Sequence, residues 1–573
     1  SAMKNSILNN LVVWSAGLFG FFFLTTANSE SEMVLFSNNV ISMSSECPEK
    51  AAPLAVAVDG DLISWIGSHE KAVSKIGPKT KVLRLGSKAL LPGFIDAHGH
   101  ASYTAAATQL ANLASPPVGR VVDIKTLQTT LKKYIDDRNP KTGEWVVGLG
   151  YDDSLLAENR HPDRDDLDAV STDHPILLIH VSGHLVATNS RALARGGINS
   201  ESNDPPGGII RRRPGSSEPN GVLEESAAYP VRRYMNEPIK DPLASVGQAM
   251  KVYAQNGITT VQDGAASTEV VRLLRAAGQA GLINLDVQVY PLGQINETGV
   301  QQAYEFGQYQ DRVRVNGVKL MLDGSPQGKT AYLTQPYFKP PHGQNSDYRG
   351  YPAIPQARAD ELIAFYLEQK IPIIAHANGD AAADMLIDAV KQAGPSHDHR
   401  TVMIHAQTVR EDQLTLMKRL GMIPSYFAAH SFYWGDWHRD SVFGIERASR
   451  ISPTASTVGR KMVFTIHNDA PIVPPDMLRL LWATTNRLTR SGKVLGDEQR
   501  ISTYDALLAV TRYAAYQHFE EAQKGSIEVG KNADLVVLDQ DPLTMSSRDL
   551  MDLEVQMTIS RGTIVFEGGQ IRR

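Results

Sequence analysis

The stretch from Leu90 to His100, LLPGFIDAHGH, constrains this chain more than any other. Leu90, Leu91, Phe94 and Ile95 fit a short buried strand opened by Pro92 and Gly93. His98 and His100 lie two residues apart, so on a strand both imidazoles point to one face. Gly99 between them has no side chain to crowd a metal. Two imidazoles at a strand end suit a divalent metal such as zinc. The pair alone fits two ordinary histidines equally well, so the rest of the chain decides.

Seven further apolar runs follow: GITTVQDG, LDVQVYPLG, GVKLMLDGS, IPIIAHANGD, TVMIHAQTV, GMIPSYFAA and MVFTIHNDAP. Helix-like stretches at Ala359 to Lys370, Ala381 to Ala393 and Glu411 to Leu420 separate several of them. This alternation predicts an α/β fold with a parallel sheet, and eight such units predict a (β/α)8 TIM barrel. A barrel converges the C-terminal ends of its strands on one site. The ends here carry His98 and His100, then Lys319, His376, His405, and finally His467 and Asp469. A lysine at a strand centre is unusual, because an isolated ammonium is costly to bury. Burial would depress its pKa, and a neutral amine can add carbon dioxide to become a carboxylate. Taken alone, Lys319 fits equally a snorkelling lysine or a partner of Asp323.

The 573 residues could supply three or four domains, although a barrel with insertions absorbs much of that length. The gap from His100 to Gly257 is too long for one crossover helix. We assign residues 92–115 to the first barrel strand, 116–245 to an insertion over the substrate mouth, and 246–519 to the rest of the barrel. Residues 30–91 and 520–573 share a strand–turn–strand character, with a hairpin signal at Gly60, and are expected to form one small β-sandwich. Ser1 and Ala2 resemble an expression scar. Lys4, the apolar run Leu11 to Leu24 and the tail TTANSES resemble a signal peptide cleaved near Ser29. A secreted or periplasmic protein is expected, with an uncleaved anchor as the alternative. Net charge is −5 with no basic arm, which argues against nucleic acid. The triplet Arg211 to Arg213 is placed in a surface loop. The single cysteine, Cys47, excludes an intrachain disulfide and a Cys-rich zinc site.

Ten segments then fall in a recognisable order. They are LPGFIDAHGH, GYDDS, DLDAVSTDHPILLIHVSGHLVATNSRAL, GVLEESA, GITTVQDG, VKLMLDGS, HANGDAAAD, IHAQTV, HNDAP and GSIEVGKNADLVVLD. This series resembles the amidohydrolase superfamily, and most closely its YtcJ-like branch in the amidohydrolase family 3 grouping. The resemblance implies that His98 and His100 bind the more buried metal. It implies that a carboxylated Lys319 bridges two ions and that His376 and His405 bind the more exposed one. Asp469 would contact the buried metal and the attacking water. One or two divalent ions, most simply zinc, are implied. Two departures, Asn468 before Asp469 and HANGDAA where the branch has HAIGDRA, leave these ligands intact but change loops around them.

The implied reaction is hydrolysis of a non-peptide C–N bond, in an amide, N-acyl or N-formyl group, by metal-activated water with Asp469 as general base. His184, in SGHLVATN, is the candidate donor to the scissile carbonyl. Tyr151, Asp323, His430 and Trp437 are candidate pocket residues. Glu225, in GVLEESA, receives no role. The alternatives are a lactone or ester hydrolase on the same site, or a secreted regulatory or binding protein that keeps the hydrolase fold. The expected partner is a small-molecule substrate, with no nucleic acid and no integral membrane span after signal removal. A homodimer is left open.

Overall fold

The computed structural model describes residues 30–568. The predicted signal segment, residues 1–29, lies outside the described residues. Among the described residues, no helix is long and apolar enough to cross a membrane.

Both ends of the described residues meet in one seven-stranded sheet. Its order is Thr563–Glu567, Val555–Ser560, Leu535–Leu538, Lys81–Pro92, Met33–Val40, Ala52–Asp59 and Leu62–Gly67. Gly60 turns the last hairpin at φ 57°, a conformation that glycine adopts without a Cβ penalty. Alternate residues feed opposite sides. Leu35, Val56, Leu83 and Leu535 enter one apolar cluster, and Val34, Phe36, Ala55 and Ala57 enter another. The expected two-layer sandwich is therefore a single hydrogen-bonded sheet with an apolar cluster on each side.

The boundary ahead of the histidines also differs from expectation. Leu90, Leu91 and Pro92 complete the strand Lys81–Pro92 and pair with Val537, Val536 and Leu535. The central strand that follows is only Phe94–Ile95. Leu90 faces the end-sheet core, whereas Leu91 faces the central core. A run buried on both faces carries no period-two signal to mark where one sheet ends and the next begins.

The central strands form two five-stranded sheets. One runs Tyr309–Gln310, Val313–Val315, Asp286–Pro291, Ile258–Ala266 and Phe94–Ile95. The other runs Val318–Met321, Ile373–Ala377, Val402–His405, Ile423–Tyr426 and Thr465–Ile466, all parallel. Isolated bridges at Gly99–Ala470 and Leu292–Lys319 connect the two sheets. The fold is α/β and TIM-barrel-like, but the ladders do not merge into one closed sheet. Helices Gln356–Glu368, Asp380–Ala393 and Glu411–Leu420 bury Leu362, Leu386 and Leu414 in the central core.

The long insertion carries its own six-stranded sheet. The order is Gly208–Arg212, Pro219–Glu225, Leu185–Thr188, Ile176–His180, Val146–Tyr151 and Ala111–Asn112. Its first strand begins at Ala111, ahead of the boundary placed at 116. Arg211 and Arg212 lie on an edge strand rather than in a loop, because Arg211 pairs with Glu224 across the sheet at 2.6 Å.

Asp286 ties the central strands to the end sheet. Its carboxylate lies 2.6 Å from Lys524, 2.6 Å from Arg312 and 2.9 Å from Arg561. Burial alone would raise this carboxyl, but Lys524, Arg312 and Arg561 outweigh it and hold it below the usual carboxylate range. A carboxyl depressed in the folded state adds stability above its unfolded pKa of about 4, and that stability is lost as pH falls through the folded value. Asp286→Asn should lower the unfolding free energy at pH 7 by about 3–5 kcal/mol, because it removes one ionic partner from a buried Lys524. Denaturant midpoints would measure this, and the difference should shrink on acidification. An unchanged midpoint at pH 7 would show that Glu520, 2.9 Å from the same ammonium, suffices alone.

Candidate metal centre and active site

The ends of the central strands bring His98, His100, Lys319, His376, His405 and Asp469 together. The His98 ring lies 5.1 Å from His100 and 5.5 Å from His405, and His405 lies 4.6 Å from His376. The Lys319 Nζ is 3.0 Å from His98 Nε2. Asp469 Oδ1 is 3.3 Å from His98 Nε2 and 3.1 Å from His100 Nε2, and its Oδ2 is 3.9 Å from His405 Nε2. His405 and Asp469 hold φ of 75° and 52°, a left-handed conformation that is strained for residues with a Cβ. Such strain persists where the surrounding packing over-determines it.

Hydrogen bonds behind the rings decide which nitrogens face inward. His98 Nδ1 lies 2.5 Å from Gln262 Oε1, while the Gln262 amide nitrogen donates to Ala97 O at 2.8 Å. His100 Nδ1 lies 2.7 Å from Gly264 O, and His376 Nε2 lies 2.8 Å from Gly324 O. Carbonyl oxygens only accept, so each of these ring nitrogens carries the proton. The opposite nitrogens are therefore lone pairs in the neutral rings. Burial first, and the Lys319 charge second, hold His98 well below the ordinary imidazole value, which keeps it neutral. The Nε2 atoms of His98 and His100 thus turn lone pairs toward the same carboxylate oxygen. Acceptors so placed repel one another unless a cation lies among them; Lys319 Nζ reaches His98 Nε2 at 3.0 Å, which leaves His100 Nε2 and Asp469 Oδ1 facing each other.

Other groups point the same way. Asp469 Oδ1 and His405 Nδ1 are buried without a hydrogen-bond partner among the described residues. One ligand atom each from His98, His405 and Asp469 fall within 4.8 Å of one another. Neutral imidazoles with a carboxylate form a donor set that fits zinc or a similar divalent ion. Burial lowers the Lys319 amine to about 7, against an opposing pull from Asp469. A neutral, nucleophilic amine is accordingly accessible near neutral pH.

Two glycines are required by close approach. A Cβ at Gly99 would lie 2.5 Å from Asp96 Oδ2, and one at Gly264 would lie 2.8 Å from His98 Cε1. The glycine of the HGH motif thus makes room for Asp96, not only for a metal.

The insertion supplies His184, whose ring lies 4.9 Å from His376. Its Nδ1 is 2.9 Å from Glu225 Oε2, so the neutral ring carries its proton there. The donor role expected from sequence would need a second proton on Nε2. Tyr151 is fully buried in the insertion core, and its hydroxyl lies 3.0 Å from His161 Nδ1. The Asp323 carboxylate accepts the backbone N–H groups of Tyr332, Asn378 and Gly379 at 2.9, 2.9 and 2.8 Å. These contacts hold both side chains in place, and Asp323 Oδ1 also lies 3.3 Å from His376 Nε2. His430 packs against Phe427 with ring centroids 4.0 Å apart and planes tilted by 33°, and its Nε2 lies 3.4 Å from the Gln327 amide nitrogen. The Trp437 indole donates to Gln327 O at 3.1 Å. Both residues therefore flank Gln327.

Sequence reasoning left His467 out of the ligand set. Its two ring nitrogens are buried without a partner among the described residues, and its ring is 5.1 Å from both His98 and His405. The HxD spacing to Asp469 was the available signal. A second cluster, Asp153, His161 and His180, occupies the insertion. There the Ser182 backbone N–H donates to His180 Nδ1 at 3.1 Å, which leaves the His180 proton on Nε2, 2.9 Å from Asp153. That arrangement is a hydrogen-bonded pair rather than a set of open ligands.

Known proteins agree with this architecture. The sequence model described as Amidohydrolase family matches residues 82–566. The N-substituted formamide deformylase of Arthrobacter pascens is 26% identical over 529 residues, spanning 90% of this chain and 95% of its own. A candidate amidohydrolase of Bacillus subtilis (strain 168), YtcJ, is 24% identical over 546 residues, spanning 90% of this chain and 96% of its own. An uncharacterized metal-dependent hydrolase from Pyrococcus horikoshii OT3 shares the fold, with a TM-score of 0.70 at 22% identity over 90% of this chain and 99% of its own. With the family match running through both the end sheet and the central strands, the chain belongs to the amidohydrolase family.

Proposed function

We propose that the chain is a metal-dependent hydrolase of a non-peptide C–N bond in an amide, N-acyl or N-formyl group. The observation that carries this reading is the convergence of His98 Nε2 and His100 Nε2 on one Asp469 oxygen, with acceptor oxygens of Gln262 and Gly264 behind the opposite ring nitrogens. In this reading His98, His100 and Asp469 hold one divalent ion, most simply zinc. His376 and His405 hold a second, and a carboxylated Lys319 serves both. A bound divalent ion lowers the pKa of water to about 7 and polarises a carbonyl. The rest of the work falls to the chain. Gln262, Gly264 and Gly324 fix the ring orientations through the opposite nitrogens. Asp469 takes a proton from the attacking water and returns it to the departing nitrogen. His184 reaches the substrate from the insertion.

The formamide deformylase among the relatives makes an N-alkyl formamide the first substrate to try. Amine release should be seen with zinc-loaded protein, vanish after chelation and return with added zinc. A lactone of matched size hydrolysed faster than every amide would favour the ester reading. No turnover of either class by zinc-replete protein would remove the hydrolase proposal.

A further inference from the structure

We propose that Glu225 is a positioning residue that fixes the tautomer of His184, so that the site accepts an amide N–H and selects amides that carry one. This deepens the C–N hydrolase reading and rests on it for the scissile group. Glu225 ends its strand at φ 48°, ψ −121°, a conformation that residues with a Cβ rarely adopt. Strained residues of this kind gather at functional sites. Its backbone N–H donates to His184 O at 2.9 Å, and its Oε2 lies 2.9 Å from His184 Nδ1. The other carboxylate oxygen accepts the Thr330 hydroxyl at 2.8 Å. A Cβ at Gly324 would lie 2.4 Å from Glu225 Oε1, and the Gly324 carbonyl faces His376 Nε2 at 2.8 Å. One short segment, residues 324–330, therefore clamps both Glu225 and the His376 ring beside which His184 lies.

A carboxylate offers only lone pairs, so it selects the Nδ1–H form of His184. The neutral ring then presents a lone pair at Nε2, for which no hydrogen bond is found among the described residues. The His184 side chain is only 12% exposed, so a substrate bound beside it would cover this acceptor. A monosubstituted amide, R–CO–NH–R′, brings a matching N–H. Hydrolysis breaks its C–N bond, forms a C–O bond from water and releases R–COOH and R′–NH2, the nitrogen keeping its own hydrogen and gaining one. N,N-disubstituted amides and esters carry no N–H and, once bound, would cover His184 Nε2 without pairing it, which is costly.

The test pairs an N-alkyl formamide with its N-methylated analogue. Wild-type enzyme should prefer the N–H compound by roughly 10- to 100-fold in kcat/KM. Glu225→Gln keeps the acceptor for Thr330 but presents an amide N–H to His184 Nδ1, moving the ring proton to Nε2. The preference should collapse to about threefold or less, with metal content unchanged. His184→Phe, which keeps a flat ring and removes the acceptor, should collapse it as well and covers a Gln variant that fails to fold. Nitrogen-15 NMR of histidine-labelled protein, with the His184 signal identified by its loss in His184→Phe, should show Nδ1 protonated in wild type and Nε2 protonated in Glu225→Gln. Equal rates on the two formamides in wild type, or a wild-type ratio in Glu225→Gln, would overturn the proposal. If neither formamide is hydrolysed, the C–N reading fails instead, and the NMR tautomer still decides what Glu225 does.

Discussion

Asp469→Asn is expected to lower turnover on an amide by about 100- to 10,000-fold while the protein keeps most of its metal. The substitution preserves shape and an oxygen, so the contacts toward His98 and His100 survive in part. What it removes is the base. A divalent cation held by His98, His100 and Asp469 would favour the charged form of the carboxyl. The wild-type side chain is therefore ionised at pH 7 and ready to take a proton. Amine release and metal content should be measured on the same sample, because a variant that simply loses metal would mimic the effect. Near wild-type turnover in a metal-replete Asp469→Asn protein would refute the assignment of the base.

His98→Ala and His405→Ala are each expected to remove most bound metal and, with it, most activity. His98 follows the strand Phe94–Ile95 and His405 ends the strand Val402–His405, 307 positions apart in the chain, yet their rings are 5.5 Å apart. Each ring contributes a buried nitrogen that the alanine does not replace. Elemental analysis of purified protein should give up to two divalent ions per wild-type chain and clearly fewer in either variant. Full occupancy in both would mean that the ligands are misassigned. In the same wild-type preparation at neutral pH, a crystal should show extra density beyond Lys319 Nζ for a carboxylate. A bare amine beside two fully occupied metals would contradict the bridging role.

The sequence alone made the candidate residues of the centre legible because each strand delivers its chemistry locally. An apolar run followed by HGH, a lysine in GVKLMLDGS, and single histidines closing IIAHA and VMIH are all visible without a partner. Alternation of strands and helices supplied the convergence, since parallel strands present their C-terminal ends on one side. The end-sheet boundary was not visible, because Leu90 and Leu91 are apolar for two different cores. Only the tertiary structure decided which nitrogen each ring turns inward. His98 owes that choice to Gln262, 164 residues away, and His184 owes it to Glu225, 41 residues away. Tyr151 and Asp323 show the same limit from the other side. Both sit next to motifs, yet one is tied to His161 and the other to three backbone N–H groups. A motif fixes which group is present, but the direction of a hydrogen bond depends on whatever acceptor the fold carries to within about 3 Å.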